Sequence, residues 1–268
     1  MNAAPVPASG LNRRRRLLVI YNPIAGLRRY RHLEVILAQL KRYGCIVELR
    51  VTGARGHAEK LAQSPLAKKA DAVVVAGGDG TIAEAVAGLI GSAIPLGIIP
   101  LGTANVLAAE IGLRKSVGDI VNALIYGPTH TIHVGRVDNH YFTMMLGAGF
   151  DAHVVANVDL GLKKRFGKLA YVIASLQGLF RYSRFRYRVT ADGIFYEAGT
   201  VIIAKGKHYG GGFISAPKAN LHDPSFQVCL FAHSGPWHAM RYGLALLMGR
   251  LHRLKDVIII EAADVTIE

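Results

Sequence analysis

The sequence predicts an α/β protein whose first half is a doubly wound, three-layer domain and whose second half is a mainly antiparallel β-sandwich. Three observations carry this. Up to about residue 130, short apolar runs alternate with segments of helical periodicity, the pattern of a parallel sheet covered on both sides. Four of those runs end in turns of Gly, Asn or Thr that lead toward helical segments. Beyond residue 130 the apolar runs come in pairs around short turns, as hairpins do.

Taken in order, residues 1–16 are expected to form a disordered basic tail, ending in Arg13, Arg14, Arg15 and Arg16. The first strand, 17–20, leads into Asn22-Pro23-Ile24-Ala25-Gly26, and the second, 46–51, into Thr52-Gly53-Ala54-Arg55-Gly56-His57. The third run, 71–76, carries Val73, Val74 and Val75, β-branched as a strand buried on both faces requires. It delivers Gly77-Gly78-Asp79-Gly80-Thr81 to a helix marked by Ile82, Ala85, Val86 and Leu89. The fourth, 96–99, passes through Pro100-Leu101-Gly102-Thr103-Ala104-Asn105 into a helical pattern of Val106, Leu107 and Ile111. Successive parallel strands place such turns on one edge of the sheet, the carboxyl edge, where α/β proteins bind ligands. Gly77, Gly78 and Gly80 carry no Cβ, so their amides can approach a ligand closely, and the helix that follows turns its positive end toward the turn. Phosphate suits that place. Asp79 would repel phosphate unless a cation stood between them, which points to Mg²⁺; the alternative is that Asp79 caps its own helix.

In the second half, strands are expected over 131–137 and 141–146 around Asp138-Asn139-His140, and over 184–190 and 195–204 around Ala191-Asp192-Gly193. Further strands are expected at 226–231, 257–260 and 265–267, with helices over 168–181 and 238–250. Tyr209-Gly210-Gly211-Gly212-Phe213 reads equally as a ligand-lining loop or a plain turn. The domains expected are therefore the tail at 1–16, an α/β domain at 17–130 and a β-rich domain at 131–268.

At 268 residues and 51% hydrophobic, the chain can build real cores. Cys45 and Cys229 lie far apart in apolar runs and read as buried free thiols of a reducing compartment. Residues 85–109 contain no charge, yet Gly88, Gly91, Pro95, Gly97, Pro100 and Gly102 break them up, which excludes a membrane-spanning helix. Residues 13–21 mimic a signal peptide until Asn22-Pro23 cuts the apolar part short, so a cytoplasmic protein is expected. The formal net charge is +14. Much of it lies within 163–188, where Lys163, Lys164, Arg165, Lys168, Arg181, Arg184, Arg186 and Arg188 occur without one acidic residue. Such a patch suits an anionic membrane surface at about 1 kcal/mol per basic residue; a merely solvated strand face is the alternative, and no specific nucleic acid is expected. None of the eleven histidines has metal-ligand spacing.

Asn22-Pro23 with Gly26, Thr52 with Gly56-His57-Ala58, Gly77 to Thr81, and Pro100 to Asn105, in this order, resemble the catalytic domain of the diacylglycerol kinase family, specifically the bacterial soluble lipid kinases that also resemble sphingosine kinases. The resemblance runs from Leu17 to the end of the chain. It implies ATP as phosphoryl donor, Mg²⁺ as its counterion, a diacylglycerol-like lipid alcohol as acceptor, and peripheral membrane association; a homodimer is compatible with it. By motif position, Asn22, Thr52, Gly77, Gly78, Asp79, Gly80, Thr81, Ile82, Ala83, Gly102, Thr103 and Asn105 would meet the nucleotide, with Asp79 the catalytic carboxylate. The stretch 219–226 resembles the family loop that holds Mg²⁺, with Asp223 as carboxylate and Asn220 and Ser225 as carbonyl ligands, although Pro224 stands where the family has Gly. Val106 and His133 replace acidic residues frequent in relatives. The family's Asp-Gly-acidic segment, whose Asp is held to be the general base, lies past the position of Glu268; the resemblance on these residues thus implies binding of ATP and lipid with impaired turnover. An NAD kinase and a membrane-binding nucleotide sensor are the two other readings.

Overall fold

The computed structural model describes residues 13–25, 30–149 and 186–268. The chain forms two compact units, one running to Thr131 and taking in Asn139–Tyr141, the other comprising Ile132–Asp138 and Phe142–Glu268.

The first unit contains β1 (Arg16–Tyr21), α1 (Tyr30–Arg42), β2 (Ile46–Val51), α2 (His57–Ala62), α3 (Pro65–Lys68), β3 (Ala72–Gly77), α4 (Asp79–Leu89), β4 (Leu96–Pro100), α5 (Val106–Glu110) and α6 (Val117–Tyr126). The strands pair in parallel in the order β2-β1-β3-β4. Leu17, Val19, Val74 and Ile99 face one way, against Leu33, Ile36 and Leu40 of α1 and Ile120, Leu124 and Ile125 of α6. Leu18, Ile20, Val73 and Val75 face the other way and are equally buried, on the side where α2 meets β1 and α4 meets β3. A strand with both faces covered cannot alternate polar and apolar residues, which is why β3 reads as an unbroken Val run. Each such side chain contributes about 1.5–3 kcal/mol on burial. Leu33, Ile36 and Leu40 recur at helical spacing, Lys41 and Arg42 sit at the negative end of α1, and Gly44 at φ +73° turns the chain back toward β2. Ser64 and Ser116 cap α3 and α6, accepting from Ala67 N and Asp119 N.

Register fixes the functional edge. Tyr21 lies level with Val51 on one side and Ala76 on the other, and Gly77 lies level with Pro100. All four strands therefore end together, and the order 2-1-3-4 places the reversal of winding between β1 and β3.

In the second unit, β7 (Met145–Ala148), β10 (Thr200–Ala204), β13 (Phe226–Phe231) and β14 (Val257–Ala262) form an antiparallel sheet in the order β14-β13-β10-β7. A second sheet orders β15 (Val265–Ile267), β8 (Tyr187–Ala191) and β9 (Ile194–Ala198). Val189, Ala191 and Ala198 of one sheet meet Val201, Ile203, Val228 and Leu230 of the other, which is the core of a β-sandwich. The outer face of the larger sheet, Ile202, Ala204, Cys229 and Phe231, is covered by Tyr242 and Ala245 of α7 (Pro236–Leu247) and by Leu251 of a following 3₁₀ turn.

Several boundaries differ from those expected. The run 195–204 is two strands in two sheets, because the chain changes sheet at Gly199; a Cβ there would lie 2.6 Å from the backbone of His233 and Ser234. The run 131–146 contributes only β5 (Gly135–Val137), β6 (His140–Phe142) and β7, with Asp138 at φ +51° in the turn. The glycine loop is a hairpin turn between β11 (His208–Tyr209) and β12 (Phe213–Ile214), with Gly210 and Gly211 at positive φ. The helix expected at 238–250 is α7, shifted toward Gly235 and Pro236, because Pro is well placed at a helix start. The helix expected at 168–181 lies outside the described residues. Cys45 and Cys229 are buried free thiols, and burial pushes the Cys229 thiol up to about 12.

Candidate active site

The carboxyl edge of the first unit is a cross-braced set of turns. Asn22, one residue past β1, donates from its backbone to Ala76 O (3.0 Å), accepts from Ile24 N through Oδ1 (3.0 Å) and donates from Nδ2 to Thr81 Oγ1 (2.8 Å). One side chain thereby ties the turn after β1 to the turn after β3, across the point where the winding reverses. Thr81 is buried and leaves no room on Gly77, where a Cβ would stand 2.9 Å from Thr81 Cβ. Gly78 is the N-cap of α4 and offers no side chain to the amides of the first turn. Above Gly80, where a Cβ would stand, there is open space.

The turn after β4 closes on the turn after β3. Gly77 O accepts from Leu101 N (2.9 Å) and Gly102 N (3.1 Å), and a Cβ on Gly102 would lie 2.5 Å from Gly78 Cα. Two glycines are needed back to back because the two backbones touch. Asp79 completes the brace: Oδ2 accepts from Asn105 N (2.9 Å) and Oδ1 from Val106 N (2.6 Å). Asp79 thus caps α5, a neighbouring helix, rather than its own. These amides hold Asn105 in the left-handed region (φ 50°, ψ 54°), which Asn tolerates better than most residues. Asn105 Nδ2 donates to Gly102 O (2.7 Å), while its Oδ1 is buried with no donor among the described residues. An orphaned buried acceptor of this kind calls for a ligand.

The remaining expected residues fall nearby in different roles. Thr52 is buried and its amide donates to Tyr21 O (2.8 Å), which extends β1–β2 pairing by one residue. Thr103 is exposed and Ala83 half-buried on the first turns of α4. Ile82 points into the core, and its amide donates to Gly78 O (3.1 Å), so it closes the turn from behind. His57 Nδ1 accepts from Gly53 N (3.0 Å), and Glu84 of α4 accepts from Ala58 N (3.2 Å), bracing α2. Of the basic patch, only Arg186 and Arg188 are among the described residues. Arg186 pairs with Glu197 (3.3 Å) and Arg188 lies over the Phe195 ring (5.8 Å).

The residues fit a triphosphate with Mg²⁺ at this edge. Space is open at Gly80 in the first turn of an eleven-residue helix, and Asn105, whose amide donates to Asp79, carries the buried acceptor that lacks a donor among the described residues. They do not fit Mg²⁺ at 220–225. The expected carbonyls of Asn220 (3.4 Å) and Ser225 (3.0 Å) converge, joined by the backbone carbonyl of Asp223 rather than its carboxylate, on the ammonium of Lys205, which is 1% exposed. A divalent ion among the same oxygens would meet a positive charge already in place. Burial lowers the pKa of Lys205 and the nearby Asp223 opposes that shift. At the expected ligands Asn220, Asp223 and Ser225 the backbone carbonyls thus surround a lysine ammonium. Sequence reasoning missed Lys205, although a lone cation at the end of the apolar run 200–204 was the signal.

A parallel-sheet unit with a glycine-braced edge, followed by a β-sandwich, defines a two-domain protein of mixed α/β and β-sandwich class. Residues 16–137 match the family described as "Diacylglycerol kinase catalytic domain", and 144–268 match "YegS C-terminal NAD kinase beta sandwich-like domain". A diacylglycerol kinase of Mycobacterium tuberculosis is 31% identical over 244 residues, covering 87% of this chain and 78% of the relative. The diacylglycerol kinase of Bacillus subtilis is 27% identical over 241 residues (88% and 80%), and a probable YegS-like lipid kinase of Pectobacterium atrosepticum is 29% identical over 207 residues (75% and 69%). The fold matches a crystal structure of a putative diacylglycerol kinase from Bacillus anthracis with a TM-score of 0.78 at 23% identity, over 98% of this chain and 88% of that one. The chain belongs to the bacterial diacylglycerol kinase and YegS-like lipid kinase family.

Proposed function

We propose that this chain transfers the γ-phosphoryl group of ATP to the hydroxyl of a diacylglycerol-like lipid. The observation that carries the reading is the convergence of the β1, β3 and β4 turns on one edge, where Gly78 and Gly102 touch and Asn105 keeps an acceptor without a donor among the described residues. Family membership supports the reaction class, and the names of the relatives support the acceptor.

Phosphoryl transfer asks chiefly for alignment and charge neutralisation. In this reading the amides at the start of α4 hold phosphate oxygens, with the helix dipole behind them. Asp79 keeps the α5 end of the turn in place through its two amide bonds. Asn22 and Thr81 hold the opposite wall through their side-chain hydrogen bond. Mg²⁺, when bound, would neutralise phosphate charge, and Asp79 and Asn105 Oδ1 are the oxygens that would hold it.

The test is transfer of label from γ-labelled ATP with Mg²⁺ to diacylglycerol in mixed micelles, with NAD as the competing soluble acceptor. Label in the lipid phase is the expected result. Label on NAD, or nucleotide binding without transfer to any lipid alcohol, overturns it in favour of an NAD kinase or a nucleotide sensor respectively.

A further inference from the structure

Helix α7 is amphipathic the wrong way round for a water-facing helix. Tyr242 and Ala245 close the core beneath it, with the Tyr242 ring 4.9 Å from that of Phe231. Its outward side carries Trp237 (77% exposed), Met240 (49%), Leu244 (53%) and Leu247 (61%), continued by Met248 (54%). At 3.6 residues per turn these five positions fall within an arc of about 100°. The neighbouring strand β12, which contacts α7, adds Phe213 and Ile214, both also exposed. Single exposed apolar residues are ordinary, but a stripe of this size on one helix marks a surface with a partner.

The surroundings are cationic. Arg241 flanks the stripe, and Arg250, His252, Arg253 and Lys255 follow it, all exposed. A groove of about 480 Å³ beside the helix is lined by His233, His238, Arg241, Arg253, Leu254, Lys255 and Asp256. Its one carboxylate is already committed, since Asp256 is ion-paired with Arg241 and accepts from the Tyr242 hydroxyl (2.7 Å). Among the described residues, Arg250, Arg253 and Lys255 form no ion pair.

We infer that α7 docks the protein on a bilayer of anionic lipid, with the Trp237–Met240–Leu244–Leu247 stripe at the acyl boundary and the cationic groove against headgroup phosphates. An apolar stripe bordered by Arg and Lys is the composition of helices that lie in a membrane interface, and Trp is favoured there for its apolar ring and polar N–H. Charge selects the occupant: a second copy of this chain would set these cations against their like, whereas anionic headgroups attract them, as does the net +14 of the whole chain. The inference complements the proposed activity, and its test needs no catalysis.

Trp237 is the sole tryptophan of the sequence, so its emission reports on α7 alone. With the full chain, no nucleotide, and vesicles of phosphatidylcholine with or without phosphatidylglycerol, the expected result is co-sedimentation with anionic vesicles. It is accompanied by a blue shift of emission and by quenching from brominated acyl chains, and all three weaken in high salt. The double variant Leu244→Glu, Leu247→Glu should bind vesicles at least about tenfold more weakly, because two apolar side chains no longer enter the interface. Its melting transition and its heat of Mg-ATP binding serve as controls for folding and for the nucleotide site. Vesicle binding with unshifted Trp237 emission places the membrane contact elsewhere and overturns the inference, as does an absence of vesicle binding. A blue shift that follows protein concentration without lipid, with a dimer in sedimentation, also overturns it, in favour of self-association.

Discussion

Asp79 accepts hydrogen bonds from two amides 26 and 27 residues further along the chain, each of a kind that contributes about 1.5–3 kcal/mol. In Asp79→Asn an NH₂ group replaces one acceptor and confronts an amide N–H. The expected outcome is a loss of about 2 kcal/mol in urea unfolding together with a fall of about 10²-fold in phosphoryl transfer, since the phosphate-facing turn loses its brace. Equal stability loss with full turnover would make Asp79 a cap and nothing more. Lys205 poses the complementary case, a buried cation whose hydrogen bonds go to backbone carbonyls. Lys205→Met leaves those oxygens unpaired and should lower stability by about 3 kcal/mol by chemical denaturation. In the wild type without nucleotide, the melting temperature should be indifferent to Mg²⁺ and to chelator, because the ammonium already fills the cage. A rise on adding Mg²⁺ alone would contradict that assignment.

At the scale of elements, the contact between the β3 and β4 turns depends on hydrogen atoms where other residues carry Cβ. Gly102→Ala places a methyl 2.5 Å from Gly78 Cα and 2.8 Å from Asn105 Oδ1. It should cost about 1–3 kcal/mol and weaken Mg-ATP binding together. Gly80→Ala is the informative contrast. Nothing lies within 4 Å of the added methyl, and Ala suits a helix better than Gly, so melting should hold or rise while Mg-ATP affinity in calorimetry falls. Unchanged Mg-ATP affinity in Gly80→Ala would mean that the open space above Gly80 faces no ligand. The same scale shows where reading a sequence succeeds and fails. The run β3 and its glycine turn are legible because β-branching and missing Cβ atoms act on their own stretch of chain. Gly199 is not legible as a sheet crossing, because the backbone it makes room for, at His233 and Ser234, is 34 and 35 residues away.

For the whole molecule, the order β2-β1-β3-β4 turns four separate local motifs into one edge. Periodicity and turn chemistry alone established the four parallel strands, the starts of α4 and α5, the hairpin tips at Asp138 and Asp192 and the split into an α/β half and a β-rich half, since each depends on the backbone preferences of a few neighbouring residues. Tertiary structure alone decided which helix Asp79 caps, which cation fills the carbonyls of 220–225, and that the apolar stripe of α7 faces out while its Tyr242 faces in. A periodic pattern shows that a helix has two unlike sides but not which of them meets the core. Those outcomes depend on which distant groups arrive at hydrogen-bonding or van der Waals distance, and that is a property of the packed chain.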